Sequence, residues 1–501
     1  MKRTKKFLCL FLALIMAFSV TVTAYAAESD EQTCPLIYIP GFTSSAVYDD
    51  VNNKDTLVAF PTTDDILDIV TEAFIPALLV YAINRDTDKL VTSVTDRVNE
   101  VFAYWFNEST GEAKEGSGII PEKLTDVSKT SKLTFSYDWR SDPVKIASEL
   151  NDYIETVCKL SGCDKVALGC HSLGTTIALA YLTAYGNDRV SGIVFDSPAC
   201  NGVALIGNIL TGKVNLDAET AGFYLKSILG ESEYNELISS LIDIFDSAGV
   251  MELLILLSDE IIEALAPAVY RETVAPLLGY WPTIWSMLPD NKVEQAKAYI
   301  FGDILKGKDH SALISKIDYY NSTVRANREA TLRSFNSVGN FAVFSRYIQQ
   351  TIPLKGSSQL ISDTIIDTAS SSLGATTAPI GDYFSDEYLK SKNLRYISPD
   401  KTVDASTCLF PEQTWFIKDS GHFETGELTT NYYDMFLFAE KELTCDTAKI
   451  GRFTYRDLET YTLVTDNTIA QKAEKPTVIK SIYNLAVAFV ELIKNLIKNA
   501  F

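Results

Sequence analysis

Histidine is scarce in this chain, which has only His171, His310 and His422 among its 501 residues. No Cys-x-x-Cys pair occurs either, so clustered His and Cys ligands for a metal are missing, and we expect neither a metal nor another cofactor.

Basic residues are outnumbered, with 44 Lys and Arg against 65 Asp and Glu and a formal net charge of −21. Nucleic-acid binding needs a basic surface, so we expect no nucleic-acid partner.

The N-terminus has the pattern of a secretory signal peptide over residues 1–26. Lys2, Arg3, Lys5 and Lys6 precede an apolar run over residues 7–22, and Ala24-Tyr25-Ala26 forms a cleavage site of small residues. The sequence therefore predicts a secreted, extracellular protein, with association with the cell surface as a further option. A retained membrane anchor is the alternative.

Cysteines remain in moderate number after residue 26. They are Cys34, Cys158, Cys163, Cys170, Cys200, Cys408 and Cys445. An exported compartment permits disulfides, and Cys158 with Cys163 and Cys408 with Cys445 are the candidate pairs. The odd number leaves at least one thiol free, for which Cys170 is the first choice.

Residues 165–179 predict a strand, a sharp turn and a helix in direct succession. The apolar run 166–168 leads into Gly169-Cys170-His171-Ser172-Leu173-Gly174, and an apolar helical pattern follows from Ile177. A serine on such a turn is exposed above the sheet, so Ser172 is the predicted nucleophile and the Leu173 N–H a predicted oxyanion donor. Cys170 departs from the usual Gly-x-Ser-x-Gly motif. The alternative interpretation is that His171-Ser172-Leu173-Gly174 occurs by chance in an ordinary strand–helix turn.

Further apolar runs predict strands at 36–39, 132–135, 190–195, 341–347, 394–397 and 414–417, with a helix at 143–160 and helices within 64–106. Strands that alternate with helices predict a doubly wound, mostly parallel α/β sheet. The turn Pro40-Gly41-Phe42 follows the first strand, where such sheets bind ligands. Phe42 is the predicted second oxyanion donor, with Thr43 as the next choice.

The pattern divides the chain into a first core segment at 27–200, a helical cap at 201–337, a second core segment at 338–445 and an extension at 446–501. Broad apolar stripes in the cap indicate either lipid handling or the cap's own core. Residues 479–501 predict an amphipathic helix, which could lie on a membrane surface or pack on the protein.

A catalytic base and its acidic partner are expected near the end of the sheet. His422 is the only His after the last predicted strand, so it is the predicted base. Asp400 directly follows the predicted strand 394–397 and is the predicted acid, with Asp404 and then Asp419 as alternatives. We expect His171 to be structural and His310 to be exposed.

Four short motifs resemble the lecithin:cholesterol acyltransferase-like branch of the α/β-hydrolases. They are Tyr137-Asp138-Trp139-Arg140, His171-Ser172-Leu173-Gly174, Pro40-Gly41-Phe42 and Asp400-Lys401-Thr402-Val403. The resemblance implies an α/β-hydrolase fold with an inserted helical cap, and a Ser–Asp–His triad of Ser172, Asp400 and His422. It also implies a lipid-like acyl ester as substrate. The apolar stripes of the cap and the amphipathic pattern at 479–501 leave contact with a membrane surface as a further expectation.

The favoured function is a secreted serine ester hydrolase of lipase, esterase or phospholipase type that works through an acyl-enzyme. An acyltransferase would use the same residues with an alcohol in place of water. The same triad would also serve a peptidase or an amidase, although no sequence feature favours either activity. A non-catalytic cell-surface binding protein on a hydrolase scaffold is the alternative from a different class.

Overall fold

The computed structural model describes residues 32–58, 72–73, 75–214, 267–347, 349–351, 354, 356–423, 433–440, 443–448, 450–457 and 462–464. The predicted signal peptide and the predicted terminal helix lie outside the described residues. Residues 215–266 of the predicted cap also lie outside them.

An eight-stranded sheet forms the centre of the described structure. Its strands are β1 (Leu36–Ile39), β2 (Lys132–Thr134), β3 (Val166–His171), β4 (Val190–Asp196), β5 (Asn340–Tyr347), β6 (Thr414–Lys418), β7 (Phe453–Asp457) and β8 (Thr462–Val464). The spatial order is β8-β7-β6-β5-β4-β3-β1-β2. Seven strands are parallel and only the edge strand β8 is antiparallel to its neighbour β7. The predicted doubly wound parallel sheet is therefore confirmed.

Four α-helices are described before the predicted cap, and the last two of them pack on β3. They are α1 (Ile75–Asn84), α2 (Thr87–Val101), α3 (Pro143–Ser161) and α4 (Gly174–Tyr185). Helix α3 begins after Asp142, whose side chain accepts the Val144 N–H, and ends at Gly162 with a φ of 72°. Its apolar face packs Ile146, Leu150, Ile154 and Val157 into the core.

A run of helices separates β4 from its sheet neighbour β5, as the predicted cap insertion requires. The α-helices described there are α5 (Ala204–Leu210), α6 (Ala275–Gly279), α7 (Pro282–Ser286), α8 (Val293–Lys297), α9 (Ser311–Tyr319) and α10 (Arg328–Asn336), with π-helical stretches at Tyr270–Val274, Ala298–Ile304 and Tyr320–Arg325 and a 3₁₀ turn at Asp290–Lys292. The apolar stripe of Trp281, Ile284, Trp285 and Leu288 is buried in the main core. Among the described helices, none has the length and hydropathy that a membrane span requires.

Short elements fill the remaining connections. Antiparallel ribbons pair Val47–Tyr48 with Leu57–Val58, Gln349–Gln350 with Ile361–Ser362, and Thr376–Thr377 with Val403–Asp404. Helices α11 (Thr368–Ser371) and α12 (Asp386–Lys390) and 3₁₀ turns at Lys54–Thr56, Leu394–Tyr396 and Ala405–Thr407 complete the list. The predicted strand at 394–397 is wrong, since a 3₁₀ turn stands there and Leu394 is 66% exposed.

The cysteines within the described residues are all free thiols. Neither candidate disulfide is formed. Cys158 packs into the core on the inner face of α3, whereas Cys163 directs its Sγ to the Ser161 carbonyl. Cys445 donates its thiol hydrogen to the Thr414 carbonyl at 3.2 Å.

Candidate active site

Ser172 stands at the sharp turn between β3 and α4 with a φ of 53°. A positive φ is rare for residues other than glycine and marks strain at functional turns. The turn is held from both sides, since the Ser172 N–H donates to the Asp196 carbonyl at 3.0 Å and the Thr175 hydroxyl donates to the Ser172 carbonyl at 2.7 Å. The strand–turn–helix predicted around Ser172 is thus present.

Two glycines allow neighbouring loops to approach this turn closely. A β-carbon on Gly174 would lie 2.2 Å from the Ile39 carbonyl oxygen, and one on Gly41 would lie 2.9 Å from Ser172 Cβ. Cys170, the departure from the usual motif, lies in β3 with its side chain in the core. Burial raises the pKa of its thiol well above the ordinary value, so Cys170 is not a thiolate nucleophile.

A chain of hydrogen bonds joins Ser172, His422 and Asp363. His422 Nε2 lies 2.9 Å from Ser172 Oγ, and His422 Nδ1 lies 2.7 Å from Asp363 Oδ2. An ionised carboxylate can only accept, so the proton sits on Nδ1, and the bare Nε2 then accepts the serine hydroxyl. All three side chains are buried. This arrangement would allow His422 Nε2 to accept the Ser172 proton.

Asp363 is held in place by the segment that follows β5. The ribbon of Gln349–Gln350 and Ile361–Ser362 ends directly before it, and its Oδ1 accepts the N–H groups of Ile365 at 3.0 Å and Ile366 at 2.7 Å. Burial alone would raise the pKa of Asp363. The nearby His422 and the hydrogen bonds from His422, Ile366 and Ile365 outweigh it and hold this pKa below its ordinary value.

Asp400 does not reach His422, so the predicted pairing of these two residues is wrong. Its carboxylate accepts hydrogen bonds from Ser398 and Thr402 at 2.7 Å each and forms an ion pair with Lys418 at 3.0 Å. The prediction depended on a strand at 394–397, and the 3₁₀ turn there lies outside the main sheet.

The alternative acids do not take this place either, because the carboxylate on His422 Nδ1 is that of Asp363. The Asp404 carboxylate contacts Lys392 at 2.9 Å and accepts the Tyr388 hydroxyl at 2.8 Å. Sequence reasoning missed Asp363 because it lies in a Ser-rich loop. The signal that could have found it is its place after β5, the sheet neighbour of the strand that precedes His422.

The turn Pro40-Gly41-Phe42 lies against the nucleophile on the other side. A β-carbon on Gly41 would lie 3.4 Å from Ser172 Oγ, so this backbone borders the hydroxyl directly. Leu173 follows Ser172 immediately and precedes the first residue of α4. The predicted oxyanion residues Phe42 and Leu173 therefore belong to the two segments that border Ser172.

The Tyr137-Asp138-Trp139-Arg140 motif secures the loop that carries Phe42. The Tyr137 hydroxyl donates to the Pro40 carbonyl at 2.6 Å, and Trp139 Nε1 donates to the Ser45 carbonyl at 3.2 Å. The Phe42 ring packs on Trp139 with centroids 4.5 Å apart. Asp138 and Arg140 pair with each other at 2.8 Å, consistent with a structural role.

The two remaining histidines are both buried. His171 Nε2 lies 3.1 Å from the His422 carbonyl oxygen, and the two imidazole rings have centroids 4.8 Å apart. His310, expected to be exposed, is only 5% exposed because its ring packs against Tyr280 and Phe301. Its Nε2 donates to the Leu305 carbonyl at 3.0 Å. Among the described residues, no cluster of His, Cys, Asp and Glu is arranged to bind a metal ion.

Comparison with known proteins agrees with this architecture. Residues 102–218, which include the Ser172 turn, match the family model of the alpha/beta hydrolase fold. One solved structure that resembles the chain is the crystal structure of the Tle4-Tli4 complex, at 17% identity and a TM-score of 0.19. That similarity covers 36% of this chain and 48% of the other, so the chain spans about half the length of that relative. No curated protein matches the sequence.

The parallel sheet, the flanking helices and the family match identify the fold as that of the α/β-hydrolases. The family match covers less than a quarter of the chain, and it supports the α/β-hydrolase fold for the segment that contains the Ser172 turn.

Proposed function

We propose that this protein is a serine ester hydrolase that uses Ser172, His422 and Asp363 as its catalytic triad. The observation that carries the proposal is the hydrogen-bonded chain from Ser172 Oγ through the His422 imidazole to the Asp363 carboxylate. Nucleophile, base and orienting acid stand in the relationship that acyl transfer requires. Such geometry favours a catalytic protein over a non-catalytic scaffold, which would not need a serine hydroxyl aligned with a base.

The chemistry follows from the proton positions. Ser172 Oγ attacks the ester carbonyl carbon while His422 Nε2 takes the hydroxyl proton, and Asp363 stabilises the imidazolium. The N–H groups of Phe42 and Leu173 would hold the oxyanion. When the tetrahedral intermediate collapses, the C–O bond to the alcohol breaks and His422 gives the alcohol its proton. Water, deprotonated by His422, then attacks the acyl-enzyme, which releases the acid and restores Ser172.

The lipid-like substrate is the more specific part of the proposal. It is supported by the motif resemblance. The apolar stripe of the cap that the structure describes is buried in the core and lends it no support. Export rests on the signal-peptide pattern of residues 1–26. An acyltransferase would differ only in the acceptor that attacks the acyl-enzyme. Contact with a membrane surface through the cap or the terminal helix belongs to the same proposal.

Labelling with a fluorophosphonate tests the activated serine directly. The wild-type protein should form an adduct on Ser172, located by mass spectrometry of the modified peptide. Ser172→Ala should abolish it, whereas Ser161→Ala, which removes a hydroxyl bonded to Val157, Cys158 and Cys163 at the end of α3, should leave labelling unchanged. Absence of an adduct from folded wild-type protein, with and without detergent or lipid vesicles, would refute the proposal.

A panel of p-nitrophenyl esters of increasing acyl length then measures substrate class. Greater kcat/KM for long chains supports a lipid substrate, whereas activity confined to acetate or butyrate contradicts it. Added short alcohols separate the two reactions, since a transferase would accumulate the new ester and a hydrolase the free acid.

A further inference from the structure

The imidazole of His171 lies at the junction of three segments of the proposed site. It belongs to the residue before the nucleophile, its Nε2 contacts the carbonyl of His422, and its Nδ1 faces the turn at Gly41. A β-carbon on Gly41 would lie only 3.0 Å from this Nδ1. The sequence led us to expect a structural residue, and the ring stands beside the proposed catalytic base, with the two imidazole centroids 4.8 Å apart.

The proton on His171 can be assigned from its partner. A carbonyl oxygen only accepts, so the contact of 3.1 Å requires a proton on Nε2. His171 therefore donates to His422 while its Nδ1, in the neutral ring, carries no proton. Burial and the neighbouring His422 and Arg346 lower the pKa of His171 to about 3, against the opposite influence of Asp196 and Asp363. The ring stays neutral where serine hydrolases operate.

The hydrogen bond from His171 gives the backbone of His422 a second attachment, besides its bond to Asp363. The backbone N–H of His422 donates to the Asp363 carbonyl at 2.6 Å, and its backbone carbonyl accepts from His171. The main chain of His422 is thus held on both sides while its ring bridges Ser172 and Asp363. No other hydrogen bond in the described structure links the Ser172 turn to the backbone of His422.

We propose that His171 is a positioning residue that ties the His422 loop to the nucleophile turn through its Nε2–H, and so sets the Ser172–His422 distance. The inference rests on the proposed function, because it concerns the efficiency of the same triad. A neutral ring suits this task, since a positive charge at this position would oppose the imidazolium that forms on His422 during the reaction.

Two variants separate the hydrogen bond from the bulk of the side chain. His171→Gln retains an N–H donor at similar reach, and His171→Leu retains volume without a donor. We expect His171→Leu to lower kcat about 10- to 100-fold with KM nearly unchanged, and His171→Gln to recover most of the loss. Both are to be compared at equal folded fraction, measured by circular dichroism.

A spectroscopic readout distinguishes positioning from support of the fold. The Nδ1–H of His422, bonded to Asp363, should give a far-downfield proton resonance in wild type and His171→Gln. In folded His171→Leu we expect it to broaden or shift, because the His422 loop is no longer anchored. Wild-type kcat and an unchanged resonance in that variant would overturn the inference. Failure of the wild type to label at Ser172 would instead refute the proposed function itself.

Discussion

Asp363 and His422 are joined twice, once through their side chains and once through their backbones. His422 Nδ1 donates to Asp363 Oδ2 at 2.7 Å, and the His422 N–H donates to the Asp363 carbonyl at 2.6 Å. The double link fixes both the orientation of the imidazole and the distance between the two loops. Asp363 is therefore the residue whose loss should most affect the base.

Replacing Asp363 by Asn should lower kcat by about 10³–10⁴-fold, because the amide favours the wrong imidazole tautomer and no longer stabilises the imidazolium. Asp400→Asn is the matched control, since Asp400 bonds Ser398, Thr402 and Lys418 instead. We expect that variant to keep its kcat within about threefold. Steady-state ester hydrolysis measures both. The reverse ranking would restore Asp400 as the acid.

Gly174→Ala should prevent the nucleophile turn from packing on β1. The added β-carbon would meet the Ile39 carbonyl at 2.2 Å, and this neighbour is backbone that cannot rotate away. We expect a loss of about 3 kcal/mol or more in the free energy of unfolding and slower labelling of Ser172. Gly302→Ala is the control, because nothing lies within 4 Å of its added β-carbon. Urea denaturation should show no loss there.

Arg346 stabilises the Ser172 turn indirectly, through a buried ion pair with Asp196. Its Nη2 lies 3.0 Å from Asp196 Oδ2, both side chains are fully buried, and the Asp196 carbonyl accepts the Ser172 N–H. Arg346→Met would leave the Asp196 charge without its cation, which should cost about 3–5 kcal/mol in the free energy of unfolding.

Glu329→Gln breaks an exposed pair with Arg333 and provides the comparison for Arg346→Met. Its expected cost is about 0.5 kcal/mol or less, because solvent screens that pair. Urea titration of both variants measures the difference. Equal costs would mean that the buried pair contributes no more than a surface pair.

As the pH falls, the free energy of unfolding should decrease before the pH reaches the range in which carboxylates become protonated. The pKa of His171 is lowered from 6.5 to about 3 on folding, so below pH 6.5 the unfolded chain binds a proton that the folded chain does not. Stability is thus retained above pH 6.5 and lost toward pH 3, at up to about 1.4 kcal/mol per pH unit.

His171→Gln cannot titrate and removes this contribution. The difference in the free energy of unfolding between wild type and the variant should therefore vary with pH between 6.5 and 4.5 and be constant above 7.5. Asp363, whose pKa is lowered from 3.8, loses its stabilising charge only at more acid pH. A difference that is independent of pH would show that His171 titrates normally in the folded protein.

Several features could be predicted from the sequence because they depend on local patterns. The apolar strands around Ser172 and before His422, and the helix at Pro143–Ser161, form where periodicity placed them. The strand expected at 394–397 failed for the same reason, since a short apolar run does not distinguish a strand from a 3₁₀ turn. That error favoured Asp400, which stands shortly after the run, and the family resemblance of Asp400-Lys401-Thr402-Val403 favoured the same residue.

Which acidic residue pairs with His422 could not be predicted from local patterns, because the pairing depends on contacts between segments that are distant in the sequence. Asp363 is separated from β5 by a short ribbon, and only the pairing of β5 with β6 brings that ribbon beside the His422 loop. Asp400 had a competing partner in Lys418, close in space at the end of β6. No local pattern encodes which of two carboxylates a histidine meets across neighbouring strands.

The amino-acid sequence alone indicated the nucleophile turn, the histidine of the proposed triad and the parallel α/β architecture, because local patterns, the order of elements and the scarcity of histidine point to them. Only the tertiary structure decided that Asp363 meets His422 and that His171 contacts the backbone of the same histidine. These relationships depend on distances between segments that are remote in the chain, and such distances are set by sheet order and packing rather than by local propensity.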